Sequence, residues 1–390
     1  MANTLLSPTA VTREALRVLH QKLNFVGSIT REYDESFARQ GAKIGDTLKV
    51  RLPNQYAVRS GATLNAQDTA ETSVDLKVQT QKGVDLNFTS VDLTMTLDDF
   101  SDRILEPAMS VLAATIESDA MSMYKDVYNQ VNNQGQTANF SKVLQGRKTL
   151  VDNLAPLSGR TCNLNTQDNM DLVDALKGLF NDRDNLSKQY REGFMGRTAG
   201  FDFMENTLWP SHSRSAANGA YLINGASQSG ATLTVDTGAN APAAGDVFTI
   251  SGVFRVHPET KQSTGILQSF VVGTGATSTS WPISPAIVTS GPTQNVAAAP
   301  ADNAPITVAG TASTPHGLSM AYHKSAFAFA SADMVMPRGV DFAAREVFDG
   351  VSMRIVRQYD INNDRFPCRL DVLYGFKTLR PQLACRLANN

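Results

Sequence analysis

Cysteine is scarce in this sequence: Cys162, Cys368 and Cys385 make three, an odd number at wide spacing. That argues against a disulfide framework, and a reducing cytoplasm is the expected place of folding. Long apolar runs are missing too. None approaches the roughly 20 residues that a helix needs to cross a bilayer. The opening Met1-Ala2-Asn3-Thr4 lacks the basic segment and apolar core of a secretory signal. Neither charge sign is in excess, with 35 Lys and Arg against 37 Asp and Glu for a net charge of -2. No strong field therefore draws the molecule to nucleic acid or to an anionic membrane.

Chemistry-bearing patterns are equally sparse. His20, His212, His257, His316 and His323 are scattered, with no pair at metal-ligand spacing. The sequence has no His-Glu-x-x-His, Cys-x-x-Cys or Gly-x-Ser-x-Gly, no phosphate-cradling glycine loop and no dinucleotide fingerprint. Asp98, Asp99 and Asp102 form a small acidic cluster, explained by the favourable field at a helix start. Lys and Arg are not interleaved with aromatics as single-strand binders require. Catalytic, cofactor-binding and metal sites are expected to be absent, and an enzyme is unsupported.

What is present is a chain of 390 residues, long enough for two or three domains. One stretch departs in composition from the rest. Across 219–311 only Asp236, Asp246, Arg255, Glu259, Lys261 and Asp302 carry charge, whereas 18% of the whole chain is charged. Gly, Ala, Ser, Thr and Pro separate short alternating apolar runs there, which predicts a small β module inserted in an α+β host.

Ser7-Pro8 is a good helix opening, a capping hydroxyl followed by a proline at the first turn. Leu16, Leu19, Leu23 and Val26 then recur at intervals of three and four, with Arg17 and Lys22 between them and Arg13 just ahead. Such a stripe either packs on its own domain or serves as an arm that docks on a partner. Between Gly45 and Ser90 the period changes to two: Leu48, Val50 and Leu52, then Val74, Leu76 and Val78, then Val84, Leu86 and Phe88. A long two-stranded ribbon is barely stable alone in water, so it is expected to lie on a neighbouring molecule.

Pro107 opens the longest predicted helix, preceded by a helical run over 97–105. Met109, Leu112, Ile116, Ala120, Met123, Val127 and Val131 carry its stripe to about Asn132. That span is roughly 40 Å at 1.5 Å per residue. Shorter helices are predicted over 141–153 and 167–180, with a strand over 161–164 between them. Val351, Met353 and Ile355, then Cys368, Leu370 and Val372 across a turn at 360–364, make the chain end in strands.

The most specific motif is Cys368-Arg369, four residues, Tyr374-Gly375, four residues, Arg380-Pro381. It resembles the closing strand of tailed-phage major coat proteins of the P22 type, within the wider Hong Kong 97 capsid fold. Tyr322-His323-Lys324-Ser325-Ala326-Phe327 is similar to a strand of that fold's apical domain. Ala199-Gly200-Phe201-Asp202 resembles the strand entering the insertion, and Asn165-x-Gln167-Asp168 a strand-to-helix turn. Gly245-Asp246 followed by Ile250-x-Gly252-Val253 is similar to the family's inserted β-barrel.

The resemblance implies an α+β fold with an N-terminal arm (1–40), an extended β loop (41–95) and a spine helix of the peripheral domain (96–139). It places an apical domain at 140–218 and 312–338, an inserted β-barrel at 219–311, and peripheral C-terminal strands at 339–390. It implies a major capsid protein whose copies form the pentamers and hexamers of an icosahedral shell around double-stranded DNA. Scaffolding and portal proteins are implied partners, with only weak, non-specific contact to the packaged DNA and none to a membrane. Lys49, Arg51, Lys77 and Lys82 are then expected to pair with acidic residues of adjacent subunits. Leu16, Leu19 and Leu23 would dock on a partner surface, with Arg13 and Arg17 offered to an acidic stretch of the scaffold. No cross-link is implied, since nothing pairs Lys77 or Lys82 with a particular asparagine. Two other readings stay open: a cellular nanocompartment shell of the same fold, and a surface β adhesin suggested by the Ser/Thr/Gly-rich insertion.

Overall fold

The computed structural model describes residues 8–33, 47–56, 62, 72–88, 104–176, 196–216, 220–348, 350–363 and 365–389. Two compact units result: 1–50, 73–121 and 327–379 form one, and 51–72, 122–326 and 380–390 the other.

The first unit is built on the long strand Phe366–Thr378, in which Cys368, Leu370, Val372 and Tyr374 are all buried. It pairs with Thr80–Phe88, Phe327–Ala332 and Val351–Arg357. Phe342–Phe348 and, by parallel pairing, Thr30–Tyr33 complete the sheet. Helices Pro8–Lys22 and Glu106–Met121 pack on each other. The buried Glu117 carboxylate accepts the N–H groups of Phe25 and Val26 at 2.9 and 3.0 Å, fixing the chain that leaves the first helix. Thr47–Arg51 and Ser73–Lys77 form a separate two-stranded ribbon.

In the second unit the sheet order is Gln130–Asn132, Ala384–Ala388, Leu318–His323, Arg160–Leu164, Phe201–Glu205 and Arg197–Thr198. Helix Phe140–Asp152 packs on it, capped by the Asn139 side chain, which accepts the Lys142 N–H at 3.1 Å. Asn165 does the same for Thr166–Leu176, accepting the Asp168 N–H at 2.7 Å. The charge-poor stretch folds into its own six-stranded sheet. Its order is Leu222–Ile223, Gly230–Asp236, Ser280–Ile287, Ser263–Val272, Val247–Val256 and Ile306–Val308. Tyr221, Phe248, Phe270 and Trp281 anchor its core. Trp281 meets Tyr221 and Phe248 edge-on, with ring centroids 4.8 and 5.2 Å apart. The Ile306 N–H donates to Tyr221 O, and the Ile223 N–H to Ala304 O.

Several expectations are corrected. The spine helix stops at Met121, about 24 Å from its start at 1.5 Å per residue, and a tighter turn follows over Ser122–Asp126. Val127 and Val131 are buried as expected, but outside the helix: the Val127 N–H closes the tight turn on Tyr124 O, and Val131 lies in the strand Gln130–Asn132. Residues 130–132 pair with 386–388, and the Arg386 N–H donates to Asn129 O at 2.9 Å, which no helix would permit. Phe327–Ala332 pairs along its whole length with Phe366–Thr378 and belongs to the first unit. The last residues belong to the second unit, where Ala384–Ala388 lies between Leu318–His323 and Gln130–Asn132. Thr80–Phe88 is no part of a free ribbon; it is a strand of the first unit's sheet, paired with Phe366–Thr378. The predicted run over 97–103, with Asp98, Asp99 and Asp102, and the end of the 167–180 helix lie outside the described residues.

Candidate functional site: contact surfaces and the root of the inserted sheet

Leu16, Leu19 and Leu23 are 1%, 0% and 5% exposed in the single chain. The expectation that they face a partner is corrected: the spine helix and the strands Phe342–Phe348 and Val351–Arg357 cover the helix that carries Leu16 and Leu19. A local stripe specifies that a face is buried, and here the chain supplies its own cover. Leu19→Asp should therefore destabilise the subunit by about 3 kcal/mol, since an unpaired carboxylate would be buried. Urea unfolding of the variant checks this; a native midpoint would mean the stripe is not packed on its own chain.

Arg13 and Arg17 are exposed on the same helix. Arg13 lies 3.8 Å from Glu346, and Arg17 pairs with Glu14, its Nε donating at 3.1 Å. Lys49, Arg51 and Lys77 are exposed along the ribbon, while Leu48 and Val50 on its other face are half-buried. Lys82 is different. Its Nζ sits 2.7 Å from the Asp119 carboxylate, which also accepts the Tyr374 hydroxyl at 2.6 Å. Burial first, then Asp119, pushes the Tyr374 phenol far above its ordinary value. Lys82, expected to meet a neighbouring subunit, thus has a counter-charge within its own chain.

A group that the sequence did not reveal holds the inserted sheet to its host. Asp246, 1% exposed, accepts His212 Nε2 at 3.0 Å, Ser215 Oγ at 2.6 Å and the Ala243 N–H at 3.0 Å. Burial pushes the pKa of that carboxyl up, but the His212, Ser215 and Ala243 hydrogen bonds outweigh it and hold the group below its ordinary value. His212 Nδ1 reaches the Tyr124 hydroxyl at 3.2 Å. Arg386 is fully buried; its Nε donates to Val127 O at 2.8 Å and its Nη1 to Gly245 O at 2.7 Å. Burial pulls that guanidinium down to about 10. It lies 5.4 Å over the Tyr124 ring. A second tie joins the insertion to the end of helix Phe140–Asp152, where Asp152 takes Lys148 at 2.9 Å and Arg255 at 3.0 Å.

Sequence spacing hides this root, since His212 is 34 residues from Asp246 and 88 from Tyr124. Gly245-Asp246 was the one visible signal. His316 stands beside His212, ring centroids 5.5 Å apart, and Gln134 Nε2 lies 3.2 Å from it. Burial, then His212 and Arg386, hold the His316 imidazole down at about 4. In acid the unfolded chain takes up a proton near the ordinary value of about 6.5 that the folded chain refuses until about 4. Stability should then fall as pH drops from 6.5 to 4, by about 1–2 kcal/mol after solvent screening. His316→Gln should remove part of that slope in urea melts taken across the range; an unchanged slope would exclude His316 as its source.

In both units buried polar groups are spent on joining strands, helices and the insertion. Residues 28–386 match the family described as P22 coat protein – gene protein 5. The molecule is therefore a viral structural protein, a subunit of a phage capsid. The chain belongs to the P22 coat protein family, and its copies assemble into the icosahedral shell that encloses the phage genome.

Among solved structures the chain is similar to one from Mycobacterium phage Che8, at 14% identity and a TM-score of 0.47, covering 94% of this chain and 90% of that one. It is similar to the asymmetric unit of the bacteriophage PhiM1 mature capsid at 10% identity and a TM-score of 0.45, covering 94% and 87%. The CUS-3 coat protein I-domain aligns at 32% identity and a TM-score of 0.20, over 24% of this chain and 98% of its own. No curated protein matches the chain.

Proposed function

We propose that this capsid subunit follows the Hong Kong 97 layout, with a peripheral and an apical domain, and that the inserted sheet is a small barrel on the apical side. The hydrogen bonds from Ile306 to Tyr221 and from Ile223 to Ala304 support closure, since they bring the first and last strands of that sheet together. Subunits associate as pentamers and hexamers on a scaffolding protein in the host cytoplasm, with a portal protein at one vertex. Packaged duplex DNA is touched weakly and without sequence preference, as a net charge of -2 supports.

The observation that carries the reading is the ribbon Thr47–Arg51 and Ser73–Lys77. Its Leu48 and Val50 stay half-covered, and its Lys49, Arg51 and Lys77 are exposed. A two-stranded element of this kind gains stability by lying on a neighbour. Arg51 and the two lysines then meet carboxylates of that neighbour. Neutralising Lys49 and Lys77 together to Gln should leave subunits folded while shells dissociate at lower urea. The loss is about 1 kcal/mol per exposed pair at most and shrinks in salt. Light scattering of particles across a urea and salt series checks it, and identical dissociation of variant and unaltered shells would count against the ribbon contact. Electron microscopy of particles formed beside the scaffolding protein tests the assembly reading itself.

A further inference from the structure

The unit formed by 51–72, 122–326 and 380–390 carries opposite charge at the two ends of one sheet. At one end, where Arg160 opposes His323, four cations gather: Arg147, Arg160, Lys324 and Arg380. The buried Arg160 spends its donors on the Ala155 and Pro156 carbonyls rather than on a carboxylate. The Arg147 guanidinium stands against Gly200, and the Lys324 and His323 side chains stand against Gly159. Burial first, then Lys324, Arg160 and Arg380, hold the His323 imidazole below its ordinary range. Arg147 and Arg380 form no ion pair among the described residues. Close by in the chain is Leu157, 71% exposed.

Along the same strand, Leu164 opposes Glu205 at the other end, about 13 Å away at 3.3 Å per residue. Glu205 accepts the Asn169 amide at 2.8 Å, and Asp171 accepts the Gln167 amide and the Ala138 N–H, both at 3.1 Å. Neither carboxylate forms an ion pair among the described residues. Met170, between Asn169 and Asp171, is 58% exposed. Among the described residues, one end therefore sets Arg147 and Arg380, which form no ion pair, near the exposed Leu157, while Asp202 beside them is taken by Arg197; the other end sets Asp171 and Glu205 near the exposed Met170.

We infer that neighbouring subunits of one ring meet head to tail through this sheet, Arg147, Arg380 and Leu157 of one copy against Asp171, Glu205 and Met170 of the next. This rests on the reading of pentamers and hexamers given above, and names the surfaces that form them. A contact between two different patches propagates in one rotational sense and closes into a ring, which a self-complementary patch cannot do. Opposite charges at its rim set orientation, and the apolar pair is dehydrated between them. Duplex DNA is the poorer occupant of the basic end. It is held by exposed Lys and Arg and offers no apolar surface, whereas Arg160 is recessed and Leu157 projects.

The test is a charge swap in the full chain, under conditions in which the unaltered chain makes shells. Arg147→Glu with Arg380→Glu should lower particle yield at least about tenfold, as should Asp171→Lys with Glu205→Lys. All four changes in one chain should restore yield to within about threefold. Circular dichroism of the unassembled subunits shows that they are folded. Where a reversal lowers soluble yield, Arg380→Gln and Glu205→Gln read the same contact as a loss of salt dependence in assembly. Unaltered yield from the reversals, or a fourfold variant no better than its parents, overturns the inference. So does a normal number of particles that merely retain less DNA, which would assign the basic end to phosphate. Failure of the unaltered chain to form rings would instead overturn the pentamer and hexamer reading.

Discussion

Gly375→Ala should abolish the folded subunit, at a cost above about 4 kcal/mol. A methyl group at this position would sit 2.1 Å from the Lys77 carbonyl oxygen and 2.9 Å from its carbon, both backbone atoms. No rotamer change relieves such an overlap; the chain that turns from Ser73–Lys77 into Thr80–Phe88 would have to lift away. It cannot lift cheaply, because Thr80 and Gln81 are in register with Tyr374 and Leu373, while Gly375 itself opposes Ala330 on Phe327–Ala332. The glycine is needed for close approach of two backbones, not for a left-handed conformation. Expression of the variant, followed by urea unfolding of whatever is soluble, gives the answer. A soluble variant with a native midpoint would show that the ribbon does not cross the strand here.

Asp246→Ala should cost about 3–5 kcal/mol, the penalty for breaking a buried charged group out of its network. Four hydrogen bonds vanish at once, and His212, the Ser215 hydroxyl and N–H and the Ala243 N–H lose their shared acceptor in a buried site. The damage should stay local. Trp281 lies in the separate core of the inserted sheet and should keep its native fluorescence, whereas amide exchange should accelerate over 212–215 and 243–247. Asp246→Asn retains an acceptor and should lose less. Equal stability of the alanine variant and the parent would show that the insertion is held by other contacts, Arg386 to Gly245 and Arg255 to Asp152 among them. Since the partners span the insertion and its host, the loss should also appear as altered placement of the insertion on assembled particles.

Much of the fold was legible because it is written in local pattern. Alternation of apolar and polar residues marks Val351–Arg357 and Phe366–Thr378 as strands, and the proline after a hydroxyl residue marks where the first helix begins. The Arg-Pro and Tyr-Gly spacings were visible as motifs, but the reason for Gly375 was not. It lies in a backbone nearly 300 residues earlier in the chain, that of Lys77. The stripe of the spine helix shows the limit most clearly. Met123, Val127 and Val131 continue the helical spacing and are all buried, yet strand pairing at 130–132 replaces the helix. Spacing records which side chains leave water and not which backbone geometry takes them there.

By itself, then, the sequence determined what must be buried and what stays wet: an apolar face on the first helix, one on each strand, and a charge-poor module set between charged flanks. The order of its motifs also pointed to the capsid family. Tertiary structure alone decided what covers those faces. It gave Leu19 a cover within its own chain, gave Lys82 to Asp119, and brought Tyr124, His212, Asp246 and Arg386 into one buried root. The reason is that burial is a property of each residue's own chemistry, whereas the identity of a partner depends on contacts between segments far apart in the chain. Only the folded backbone brings them within hydrogen-bond reach.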